Sequence, residues 1–210
     1  MVNNFVISAC IAVAFVPCVA QSRNTLLSTI ALQVHSCGFN FKDNFHGSVS
    51  LPSQQNNFES AGYSAEIHIS GGNKSFGFNF ACHSQFGDMN EVAAEYGGRF
   101  EYGTKKWMPY FPDASAEDML LLKDVTKTFP LDSKNGHGFY TIQDDAEGEP
   151  NRRMRHISYC LFYEAKAICG FGDVKRLVDS KSDMLPYALS ILRSIEFINT
   201  PPESDKGTKP

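Results

Sequence analysis

The chain has 210 residues, with 19 Lys and Arg against 23 Asp and Glu, a formal net charge of -4. That length is natural for one domain, and a mildly acidic balance with scattered cations argues against general binding to nucleic acid. The sequence contains no internal repeat and no low-complexity tract.

Residues 3–20 are apolar or small, lack Asp, Glu, Lys and Arg, and end in Cys18-Val19-Ala20. This is the pattern of a secretory signal cleaved after Ala20, and its apolar core, residues 5–16, is too short to span a bilayer. Cleavage leaves residues 21–210 at the same net charge and predicts a periplasmic or secreted protein without stable membrane insertion. Ile7-Ser8-Ala9-Cys10 is similar to a lipobox. A lipid anchor on Cys10 would need a very short leader and would keep the apolar run on the mature side, so simple cleavage is preferred. The mature chain retains Cys37, Cys82, Cys160 and Cys169. An even number in an exported chain predicts a disulfide framework, with three connectivities open; Cys37–Cys82 with Cys160–Cys169 is favoured. No CxxC and no His–Cys spacing suggests zinc, and no cofactor is expected.

In chain order, residues 25–34 place Leu26, Leu27, Ile30, Ala31 and Val34 at helical spacing after a cap at Asn24. Phe39 and Phe41, then Val49 and Leu51, alternate as short strands, with Pro52 closing the second. Tyr63, Ala65, Ile67 and Ile69 form one arm of a hairpin, Gly71-Gly72-Asn73 its turn, and Phe76, Phe78, Phe80 and Cys82 the other arm. Such an aromatic run on one sheet face reads as core. Residues 91–96 form a short helix stopped by Gly97-Gly98. The aromatic stretch around Trp107, Tyr110 and Phe111 reads as irregular strand and loop, and as a candidate contact patch. Ser115 and Asp118 have capping-box spacing for a helix to about Lys127, and residues 138–142 read as a strand.

Asp144 and Asp145 open an acidic block that meets a basic block holding Arg152, Arg153 and Arg155. Around Gly148 and Pro150 this reads as a solvated loop; the sharper reading is a charged loop that steers a protein partner. From Ile157 the residues alternate again and continue past Glu164-Ala165 through Ala167, Cys169 and Phe171. A two-residue turn there pairs Cys160 with Cys169 on a non-hydrogen-bonded site, where side chains approach closest. Glu-Ala is a poor turn sequence, and a longer loop would shift that register. Residues 183–194 have helical spacing, with Ser182 or Asp183 as cap and Pro186 in the first turn, and Ile195, Phe197 and Ile198 form a final strand. Residues 21–199 are read as one domain and residues 200–210 as a polar tail.

No HExxH, GxSxG, P-loop or GxGxxG is present. Gly170-Phe171-Gly172-Asp173 has two glycines and nothing else of a phosphate loop, and Cys82-His83 is read as disulfide rather than thiol chemistry. Glu66 with His68, and His156 with Ser158, share strand faces in a way ordinary for half-exposed sheets. Residues from distant loops could still assemble a site, so a small exported hydrolase is the alternative reading.

The ending Ile191-Leu192-Arg193-Ser194-Ile195-Glu196-Phe197, after a hairpin and a helix, resembles the close of PsbP-like domains, and Val49-Ser50-Leu51-Pro52 is similar to their opening. The resemblance implies an α+β fold, an antiparallel sheet with packed helices in an α/β/α sandwich, here disulfide-stabilised. It also implies a class that includes exported accessory proteins and periplasmic immunity proteins against type VI secretion toxins. No functional residue carries over, because such proteins bind through variable surfaces. The sequence reading is a non-catalytic exported protein that binds a toxin-like protein partner, through residues 107–111 and 144–155.

Overall fold

A computed structural model describes residues 28–51, 60–69 and 72–198. The leader, Asn24, Leu26, Leu27, Pro52, Gly71 and the tail lie outside the described residues. Within them the structure is mostly antiparallel β-sheet with three helices and two disulfides.

Seven strands make the main sheet, in the order β3 (Ser48–Ser50), β4 (Ser60–Ile69), β5 (Gly72–Ser84), β11 (Lys166–Arg176), β10 (Met154–Tyr163), β9 (His137–Asp144) and β8 (Thr126–Asp132). Alternation of side chains gives each strand two faces. On one face Leu161, Ile168, Phe78 and Phe80 meet a three-stranded sheet of β1 (Ser28–Val34), β2 (Cys37–Asp43) and β12 (Glu196–Ile198), together with helix α3 (Leu185–Leu192). The middle of that layer is aromatic: Phe39 and Phe41 lie 5.1 and 5.6 Å from Phe80, and Phe78 packs edge-on to Tyr159. Beside it, buried Asp43 accepts hydrogen bonds from Tyr63 Oη–H and from the N–H groups of Phe45 and Gly47, which ties the bend after β2 to β4.

On the opposite face Cys160, Cys169, Phe139 and Phe162 form a second cluster under helix α1 (Met89–Glu95) and the hairpin β6 (Gly98–Glu101) with β7 (Lys106–Pro109). Asp88 caps α1 through its side chain, and Gly97, at φ +71°, turns the chain from the helix into β6. Gly98 then lies flat on the Phe139 ring; a Cβ there would come within 2.2 Å of it. Helix α2 (Ala116–Val125) has no buried residue and runs straight into β8.

The hairpin β10–β11 has the predicted register, with Tyr163 opposite Lys166 and Cys160 opposite Cys169, and Glu164 takes φ +52° in the turn. Both favoured disulfides are present. Cys160–Cys169 crosses that hairpin, and Cys37–Cys82 staples the small sheet to β5. The capping box at Ser115 and Asp118 is also formed.

Several expectations are corrected. The described part of the first predicted helix is strand β1: Leu32 and Val34 point inward with period two once the segment pairs with β2. Gly72 and Asn73 belong to β5, opposite Ile69 and His68, rather than to a turn. The first part of the aromatic stretch is a regular hairpin, with Phe100 opposite Trp107, while Tyr110 and Phe111 follow it outside any strand, as expected. The helix after Ser115 ends at Val125, and the next residues form β8. Helix α3 is capped by the backbone of Met184; Ser182 instead bonds Arg176 and Asp179, while Asp183 accepts from Leu185 N–H.

Candidate functional site

The second face of the main sheet is only partly covered. Helix α1 and the β6–β7 hairpin roof Phe139, Cys160 and Phe162, whereas the outer ends of β9, β10, β11 and β5 stay open. Two clefts, about 830 and 600 Å³, lie side by side there and share His156 and Phe171 as common walls. Phe171 is 50% exposed and stacks on the buried Tyr96 ring, with centroids 4.7 Å apart. Tyr96 is anchored in turn: its hydroxyl meets His83 Nε2 at 2.9 Å and its carbonyl accepts from Ser158 Oγ–H at 2.8 Å. Burial, and then the nearby Glu95 charge, push the Tyr96 phenol up to about 12, so it stays neutral; burial pulls the His83 imidazole down.

His156 stands where the clefts meet. Nδ1 lies 2.6 Å from Asp173 Oδ1 on β11, and Nε2 lies 2.9 Å from Asp145 Oδ1 just after β9. Partial burial pulls the imidazole down, but hydrogen bonds and charge from both carboxylates outweigh it, and its pKa is raised. Asp145 is held low, first by the N–H of Met154 and then by His156 and Arg153. Neither ring nitrogen is free to take a proton from a nucleophile, and Ser158, two residues on, is committed to Tyr96. Among the described residues, no group of three or more His, Cys, Asp or Glu could hold a metal ion, and no helix is long and apolar enough to cross a membrane.

The smaller cleft has apolar walls from Phe111, Pro112 and Leu122 against a floor of Gln143 and Ser158. Glu95 and Asp113 are exposed at its edge. The larger cleft carries Lys175 and Arg176, and also Lys74, which is paired with Asp179 at 2.6 Å.

The predicted contact residues fall in different places. Trp107 stacks 4.6 Å from Phe139 and 5.9 Å from Phe162, where it fills the second core. Tyr110 and Phe111 do reach the smaller cleft, and Arg99 lies 5.2 Å over the Tyr110 ring. In the charged stretch, Arg155 forks onto Asp144 at 2.6 and 2.8 Å, with Asp183 3.9 Å away. Arg152 pairs with Glu149 on the surface, and Arg153 donates from Nε to Gly148 O. Of the two predicted segments, Tyr110 and Phe111 share the smaller cleft with His156, and Asp145 is bonded to His156.

Sequence reasoning missed Phe171, Asp173 and the Tyr96 platform as parts of one site. A signal existed for the first two. Carrying the Cys160–Cys169 register further along the hairpin brings Ser158 opposite Phe171 and His156 opposite Asp173. Nothing local marks Tyr96 or Glu95, which reach the site through the packing of α1. Compared with family models, curated proteins and solved structures, the chain matches none of them.

Proposed function

We propose that this is an exported, non-catalytic binding protein that holds a protein partner on the open face of its main sheet. Its most concrete form is a periplasmic immunity protein that neutralises a secreted antibacterial effector. The observation that carries the reading is the exposed Phe171 ring at the meeting of two clefts, on a strand buttressed by a disulfide and by the Asp145–His156–Asp173 bridge. A half-exposed aromatic on a rigid strand is the kind of anchor interfaces use, since little side-chain entropy is lost on binding. The commitment of both His156 nitrogens favours binding over hydrolysis at this place. Two disulfides suit an oxidising compartment. The PsbP-like sandwich belongs to the same proposal, supported by α3 and α1 on opposite faces of the main sheet.

The test is expression of each gene beside this one in the periplasm, alone and with this protein. The reading expects one neighbour to arrest growth, this protein to relieve the arrest, and the purified pair to form a complex. It falls if no neighbour is toxic and immobilised oxidised protein retains only itself.

A further inference from the structure

The two clefts differ in charge. In the smaller one Glu95 and Asp113 are exposed, while the larger one carries Lys175 and the exposed Arg176, its carboxylates Asp173 and Asp179 being engaged by His156 and Lys74. None of Glu95, Asp113, Lys175 and Arg176 forms an ion pair with another described residue, in contrast to Lys74, Arg152 and Arg155. Between the two ends lie Phe171 and His156, which border both clefts, so they form one groove with an acidic end, an aromatic middle and a basic end. The floor comes from β10 and β11, interior strands; β11 pairs with β5 only as far as Asp173, and beyond it Val174 O accepts from Met184 N–H and Arg176 N–H donates to Ser182 Oγ. A ligand cannot add as a strand there and must be read by its side chains. The polar feature of the floor is the Gln143 amide, half-buried in the smaller cleft and without a hydrogen bond to another described side chain.

We infer that the groove takes a segment of the partner protein that presents a basic side chain to Glu95 and Asp113, an apolar or aromatic side chain to Phe171, and an acidic side chain to Lys175 and Arg176. The inference rests on the proposed binding function and adds the chemistry and direction of what is bound. Four unpaired charges sorted by sign along a groove favour one orientation of a two-signed segment and disfavour the reverse, because like charges would then face each other.

The experiment uses full-length mature protein with its disulfides intact and follows backbone amide resonances. The probes are the acetylated, amidated peptide Lys-Lys-Gly-Phe-Gly-Glu-Glu, its reversed sequence, and all-Lys and all-Glu versions. Both two-signed peptides, each free to lie in the direction that matches the charges, should shift the amides of Phe171, Gln143 and both groove ends, and bind roughly tenfold tighter than either single-signed peptide. Glu95→Lys or Arg176→Glu should each weaken this binding, since each leaves one end of the groove with a charge of either sign, and the two together should abolish the advantage over the single-signed peptides. Both positions are exposed, so the fold should survive, and the unshifted resonances of the core check that it does. Equal affinity for all four peptides, shifts confined to other surfaces, or no shifts at all would overturn the inference. So would a natural partner whose exchange protection falls away from the groove, a result that leaves the binding function itself standing.

Discussion

Both nitrogens of His156 face carboxylates, so the protonated ring makes two charge-assisted hydrogen bonds, whereas the neutral ring has only one N–H to offer. The groups around it are Asp145 and Asp173, with Arg153 acting on Asp145 from the adjoining loop. The folded-state pKa is raised, so the stability this bridge adds is fully present below the unfolded value of about 6.5 and is lost as pH rises through the folded value. Asp145 is shifted down and remains charged until the acid end of the carboxylate range. Denaturation of the protein and of His156→Ala should therefore differ more at about pH 5.5 than at about pH 9. A larger difference at the alkaline pH would refute the bridge. At this scale the sequence showed part of the site: the hairpin register places Asp173 opposite His156, but Asp145 lies beyond β9, where no periodicity applies.

Among the elements, the β6–β7 hairpin positions Tyr110 and Phe111, and it does so through one close approach. Gly98 rests on the Phe139 ring, itself wedged against Trp107, so the ring has little room to yield. Gly98→Ala should destabilise the fold by about 1–3 kcal/mol and loosen the hairpin, read by denaturant unfolding and Trp107 fluorescence. No change in either would mean the hairpin does not sit as described. The disulfides divide their labour by span. The Cys37–Cys82 bridge, with a separation of 45, should stabilise by about 4 kcal/mol, and the short hairpin bridge, with a separation of 9, by about 2–3 kcal/mol. Removing the first with Cys37→Ala and Cys82→Ala should lower the unfolding free energy by roughly that amount. A loss under about 1 kcal/mol would contradict the stapling role. The elements misread from sequence were those with two compatible periods. Residues 30–34 satisfy helical spacing through Ile30, Ala31 and Val34, and strand alternation through Ile30, Leu32 and Val34; pairing with β2 decides between them. Strand β8 was hidden because it follows α2 without a loop and carries Pro130, which an edge strand tolerates.

At the level of the whole molecule, the open groove arises from strand order. Strand β5 joins β11 across half the chain, and α1 with its hairpin roofs only the middle of the face they share. Those pairings have no local signature, which is why the hairpins, the disulfides and the last helix were legible while the groove was not. Trp107 illustrates the difference. Its type and neighbours suggested a contact patch; the sheet brings Phe139 and Phe162 beneath it, while the half-exposed ring at the clefts, the proposed anchor, is Phe171. The most direct measurement is a paired capture: oxidised protein and its Phe171→Glu variant, immobilised at equal density, are exposed to the products of the neighbouring genes. The account predicts that the unchanged protein retains one of those products and that the variant, folded to the same extent, loses it. Equal retention by both proteins, or retention by neither, would contradict it.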